Sequence, residues 1–120
     1  MKLPTQTQTF NDGVAKVYKV KNAAEAGNKP KDGLVLRIED PLPYDEKTVG
    51  MSRFWAAKQE QTKIERLLRF PRINCVRRED IVIPVDGEQY KIVQVQYPPN
   101  IEPACMDLSL ERLEVAYAVN

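Results

Sequence analysis

The stretch that most constrains this chain spans residues 81–113, where apolar residues recur at alternate positions on both sides of an Asp-Gly turn. A period of two puts like residues on one face of a pleated strand. Ile81, Val82 and Ile83 precede Asp86-Gly87, a pair that tolerates positive φ, and Tyr90 opens the return. Residues 81–97 therefore read as a β-hairpin. In its second strand Tyr90, Ile92, Gln94 and Gln96 share one face, with Lys91, Val93, Val95 and Tyr97 on the other. Beyond a loop, Met106, Leu108, Leu110 and Arg112 line one face of another strand, and Asp107, Ser109, Glu111 and Leu113 point mostly the other way. Tyr90, Ile92, Leu108 and Leu110 are the expected core.

The rest of the chain fits the same class. Residues 14–20 (VAKVYKV) and 33–38 (GLVLRI) read as strands, separated by a lysine- and glycine-rich loop over 21–33. A short helical turn at Ala-Glu-Ala inside that loop stays open. Asp40-Pro41-Leu42-Pro43 reads as a break. Residues 51–57 (MSRFWAA) read as a strand that sends Phe54 and Trp55 to opposite sides, one to the core and one outward or to another chain. Residues 58–70 are ambiguous. Ile64, Leu67 and Leu68 fall at helical spacing among good helix formers, so local propensity favours helix. The expected fold is mainly β: a small β-barrel or sandwich with long loops and at most one short helix. At 120 residues it is one domain over 13–115, with a flexible Thr/Gln-rich arm at 1–12 and a tail at 116–120.

Signals for chemistry are sparse. The sequence has no histidine, which removes the commonest general base and metal ligand. Its two cysteines, Cys75 and Cys105, form no CxxC and no disulfide framework. Both sit in apolar, strand-like contexts and read as buried free thiols. No phosphate-binding loop, dinucleotide fingerprint or nucleophile elbow is present. The expectation is a protein that is not an enzyme and carries no cofactor or metal. The N-terminal residues lack the apolar run of a signal peptide, and no stretch reaches the length of a membrane span. A protein made in the cytosol follows.

Net charge is +1, so composition does not point to nucleic acid. Charge is segregated, however. Lys63, Arg66, Arg69, Arg72, Arg77 and Arg78 crowd one segment with Glu65 alone against them, while Glu39, Asp40, Asp45 and Glu46 form an acidic run. Arginine's planar fork suits bidentate carboxylate pairs at interfaces. Ion pairing between chains is the preferred reading of the basic segment, and contact with DNA phosphates the second.

Three stretches together, TVGMSRFWAAKQEQTKIERLLRFPR, DIVIPVDGEQYKIVQVQ and MDLSLER, resemble the head-closure (head–tail connector) proteins of tailed bacteriophages and prophages. The matching residues are Arg53, Phe54, Trp55 and Ala56 of the aromatic strand and the basic residues over 66–69. Residues 80–83, then Tyr90, Ile92 and Gln96, and finally Leu108, Leu110, Glu111 and Arg112 complete the match. TFNDGVAKVYKV is similar to the family's opening strand.

The resemblance implies a small β-barrel that assembles as a ring, commonly twelve-fold, beneath the portal and adaptor in the virion neck. The ring closes the DNA channel and offers the tail proteins a platform. It also implies a strand region over 63–78, against the local propensity. Arg53, Phe54, Trp55, Arg66, Arg69 and Arg72 become candidates for a ring or partner interface. Lys21, Lys29, Lys31 and Gly33 become candidates for a loop facing the lumen or the adaptor. Rival readings are another phage morphogenesis protein, for tail completion or a minor capsid role, and a small nucleic-acid-binding β-barrel. In the last, bases would stack on Phe54, Trp55 and Phe70.

Overall fold

The computed structural model describes residues 6–23, 31–50 and 63–119. These contain strands and turns and no helix. The strands are β1 (Gln6–Thr7), β2 (Gly13–Ala23), β3 (Lys31–Leu36), β4 (Leu42–Lys47), β5 (Arg66–Pro71), β6 (Ile81–Pro84), β7 (Tyr90–Gln96), β8 (Ile101–Glu102), β9 (Cys105–Arg112) and β10 (Ala118–Val119). Neighbours run β2-β4-β5-β9-β7-β6, and β6 returns to β2. Six strands, all antiparallel, thus close a small barrel, which removes most of the open sheet edge.

β2 is the seam of the closure. Ala15 is paired with Leu42 of β4 on one side and Pro84 of β6 on the other. Tyr18 is paired with Leu36 of β3 and with Ile81 of β6. β3 and β4 therefore lie on the same side of β2, as one partner interrupted by a bend over 37–41. Both Arg37 and Ile38 donate their backbone N–H to Val17 O across that bend (2.9 and 3.4 Å). Past Tyr18, β2 and β3 run on together as a ribbon. The expected loop over 21–33 is accordingly shorter: Lys21 and Gly33 are cross-strand partners, as are Ala23 and Lys31.

Alternation fills the barrel. Val17, Leu68, Phe70, Val82, Ile92, Met106, Leu108 and Leu110 are fully buried inside, with Tyr44 and Tyr90. Burying apolar surface at about 25 cal/mol per Å² makes this the main source of stability. A second cluster, Tyr18, Leu34 and Ile81 with Ile83, Leu113 and Tyr117, lies on the other face of the β2–β6 wall. The C-terminal segment covers it: β10 pairs in parallel with β3, Ala118 with Gly33 and Val119 with Leu34. Within the segment read as a tail, 116–120, residues 118–119 belong to the sheet.

Other expectations meet the structure as follows. The pairing of β7 with β9 passes from Ile92–Leu110 to Gln94–Ser109, so Val93 is the extra residue of a β-bulge. The bulge reverses the alternation, so Val95, not Gln94, follows Ile92 into the core. Residues 66–71 form a strand, as the resemblance implies and against the local helix propensity, because β4 and β9 pair along both edges and tertiary context outweighs propensity. That strand ends at Pro71, and residues 74–75 turn, so the strand region implied over 63–78 is shorter. Cys75 lies exposed in this turn, and only Cys105 is a buried free thiol.

Finally, Leu42 and Pro43 belong to β4. Pro43 is tolerated because β5 pairs only with residues 45–47, so a missing N–H on that side breaks no ladder.

Candidate functional surfaces

The basic segment does not form one patch, because β5 divides it between two faces. Arg66 follows Leu68 and Phe70 on the inner face and reaches the barrel mouth. There it meets Glu46 (2.7 and 3.3 Å) and Asp86 (3.4 Å), and it lies 5.3 Å from the Tyr90 ring centroid and 5.9 Å from that of Tyr44. Its hydrogen bonds to Glu46, against the cost of burial, raise its pKa further. The guanidinium acts as a charged stopper between two tyrosines.

Arg69 points outward and is equally committed. It faces Asp107 directly across the β5–β9 ladder and meets it with two hydrogen bonds, 2.7 and 3.0 Å. Two-point contacts of this kind are among the strongest side-chain hydrogen bonds. The Asp107 bond raises the pKa of Arg69. Arg69 also donates to Gln8 Oε1 (3.0 Å), whose amide donates to Asp45 (2.9 Å). Asp45 in turn holds Lys47 at 2.8 Å, and its pKa falls to about 2, chiefly through that bond. Gln8 is placed by β1, which pairs in parallel with β8, Gln6 with Ile101 and Thr7 with Glu102. Residues 6–8, read as part of a loose arm, are thus fastened over the ion pair.

Arg72 differs from both. It is exposed and stacks on Tyr97, itself exposed, at 4.1 Å from the ring centroid. Of the three arginine candidates that are described, Arg66, Arg69 and Arg72, it alone holds no carboxylate among the described residues. Arg53, Phe54, Trp55 and Lys29 lie outside the described residues. Phe70 is fully buried, so it offers no face to a base.

The ribbon carries the other candidates. Lys21 is exposed and paired with Gly33, which is buried beneath β10. Lys19 pairs with Val35, and Lys31 holds the register position opposite Ala23. By alternation these three lysine positions share one ribbon face. Lys19 and Lys21 have no carboxylate in reach among the described residues. The opposite face is apolar, with Val20 and Leu36 partly exposed beside Tyr18 and Leu34.

Sequence reasoning passed over Lys19, Gln8 and Gln89. Lys19 was legible as the alternate of Lys21, had the first strand been carried to Ala23. Nothing local marks either glutamine.

An open groove of about 650 Å³ runs past Lys63, Glu65, Lys91, Glu111, Arg112 and Glu114. Two ion pairs lie within it, Lys63 with Glu65 (3.7 Å) and Lys91 with Glu111 (3.7 Å), while Arg112 pairs with Glu88 (3.0 Å). Among the described residues no cluster of three His, Cys, Asp or Glu could hold a metal ion, and no helix is long and apolar enough to cross a membrane. No known family model matches the chain, and no curated protein matches it.

Proposed function

We propose that this chain is a structural head-closure protein of a tailed phage or prophage, assembling as a ring beneath the portal and adaptor and presenting a platform to the tail. The observation that carries the reading is where the resembling segments fall. Residues 80–83, Tyr90 with Ile92, and Leu108 with Leu110 form β6, β7 and β9, three adjacent staves of one closed barrel. Segments 80–112 thus work as one packed unit, as a shared building block should. A rigid barrel with a ribbon on one flank also suits a ring, whose subunits meet through two different patches. The site of action would be the virion neck.

The test is complementation of filled heads that lack this protein. Added protein should bind the portal–adaptor complex, retain DNA and restore tail joining. Binding to heads with no effect on DNA retention would favour a tail-completion or other morphogenetic role instead.

A role in contacting DNA has its own support in the face shared by Lys19, Lys21 and the Lys31 position. One copy offers few phosphate contacts, so free duplex should bind weakly, with a log–log salt slope of about −0.9 for each phosphate neutralised. A slope near zero for heads carrying the ring would remove DNA from this reading. Tight binding of free DNA by the isolated chain would support the nucleic-acid-binding barrel.

A further inference from the structure

Among the described residues every strand pairing but two is antiparallel, and the two parallel ones, β1 on β8 and β10 on β3, are laid on from outside the closed barrel. The C-terminal one has an unusual fastening. The side-chain amide of buried Gln89 donates to Tyr117 O (3.0 Å), while its carbonyl accepts from Tyr117 N (2.8 Å). Leu113 N is held by Gln89 O (3.0 Å). Between these fixed points, residues 114–116 are exposed, Val115 at 83%.

We propose that residues 117–119 are an exchangeable strap, which in the assembled ring lies on the Gln89–β3 site of the neighbouring copy. The inference rests on the ring reading above. Gln89 grips main chain, so it would hold the same segment from another copy equally well. Tyr117 would cover the same apolar surface of Tyr18, Leu34 and Ile81 whichever copy supplied it. The six barrel strands close without β10, so a donor loses no stave. The two arrangements therefore differ in connectivity more than in contacts, the condition under which exchange is a low-cost route to association.

The balance tips toward exchange through what the strap leaves uncovered. It pairs only with Gly33 and Leu34 of the six-residue β3, and Val20 and Leu36 beside it stay 37% and 39% exposed. A neighbour delivering its strap would bring its own surface against that apolar remainder. Three extended residues span about 10 Å, so donor and acceptor must be in direct contact. Each copy gives one strap and receives one, a head-to-tail contact that a ring closes.

The test places cysteines at partner positions, Gly33→Cys with Ala118→Cys, in a Cys75→Ser background, with Leu34→Cys/Val119→Cys as a second pair. Each is oxidised as dilute protein and again on the portal–adaptor complex, then run without reductant. Dilute protein should give intrachain disulfides; assembled protein should give a ladder of covalent multimers. Intrachain disulfides alone in assembled rings would overturn the exchange and leave the ring reading intact. Absence of any assembly on the complex, by wild-type and variant alike, would remove the ring reading and the exchange with it. Gln89→Leu offers a second readout. It should keep the β circular dichroism spectrum of the barrel and lose the multimers.

Discussion

Arg69 and Asp107 face each other squarely across β5 and β9, and each is more than four-fifths covered, so the charge of either depends on the other. Removing one partner leaves a poorly solvated charge behind, which costs more than the pair itself contributes. Asp107→Asn should destabilise the fold by about 3 kcal/mol, the lower end for a buried pair, since Gln8 still accepts from Arg69. Urea unfolding at neutral pH measures it. A loss under about 0.5 kcal/mol, as at a surface site, would show that the pair is not under cover.

The same relationship separates the basic residues as functional probes. Arg69→Glu would place two carboxylates together and report on folding, whereas the Arg72 side chain is exposed and rests on the Tyr97 ring. Arg72→Glu should leave the melting temperature within a degree or two, since surface changes stay within about 0.5 kcal/mol. If Arg72 meets an acidic neighbour, binding to the portal–adaptor complex should fall about tenfold or more, on the scale of a lost charged contact. Unchanged binding would take Arg72 out of the interface.

Asp45 sets an acid limit. Its pKa is depressed to about 2, first by the Lys47 hydrogen bond and then by others including Gln8. A depressed carboxylate contributes stability that is complete above its unfolded pKa of about 4 and is lost as pH falls through its folded value. Stability should therefore decline between about pH 4 and pH 2. Lys47→Met should raise the Asp45 pKa and shrink that decline. Titration of the Asp45 carboxyl carbon by NMR in both proteins checks the sign.

Gly13 is required by space, not by backbone angle. A Cβ there would lie 2.6 Å from Tyr44 Oη. Tyr44 cannot retreat freely, since its ring packs 5.7 Å from that of Phe70. Gly13→Ala should cost about 1–3 kcal/mol, as overpacking does. Gly50→Ala, with nothing within 4 Å, is the control and should be neutral within about 0.5 kcal/mol.

The bulge at Val93 makes a paired prediction. Val95 shares the inner face with Ile92, and Gln94 is turned outward opposite Ser109. Val95→Ala should cost about 1 kcal/mol for the buried methyl surface lost. Gln94→Ala should cost less than half of that. The reverse order would place the register one residue away.

This bulge also shows what the sequence could and could not convey. Strict alternation located β7 and β9, and Asp86-Gly87 located the turn between β6 and β7, where Gly87 has φ of +86°. Tyr90, Ile92, Leu108 and Leu110 are all core, as periodicity required. One inserted residue left no local trace, yet it exchanged the faces of everything after it. β5 was obscured for another reason. Arg66, Leu67, Leu68 and Arg69 suit a helix locally, and only neighbours on both edges, β4 and β9, make them a strand. For the surfaces, composition revealed the excess of arginine but not its partners. Glu46 and Asp107 lie 20 and 38 residues from the arginines they bind, a separation no local pattern reports.

The double pairing of β2 has a consequence for the order in which the molecule is made. β2 acquires β3 and β4 soon after it leaves the ribosome, because they follow directly in the chain. Its other edge, over 15–18, stays unpaired until Ile81–Pro84 has been synthesised. Through that interval a nascent chain carries an open strand edge, the usual template for wrong pairing with another chain. Lys16 and Lys19 stand exposed within and just past it, and edge lysines discourage such pairing. Closure of the barrel therefore waits on a pairing between segments far apart in the chain, the kind of contact that slows folding.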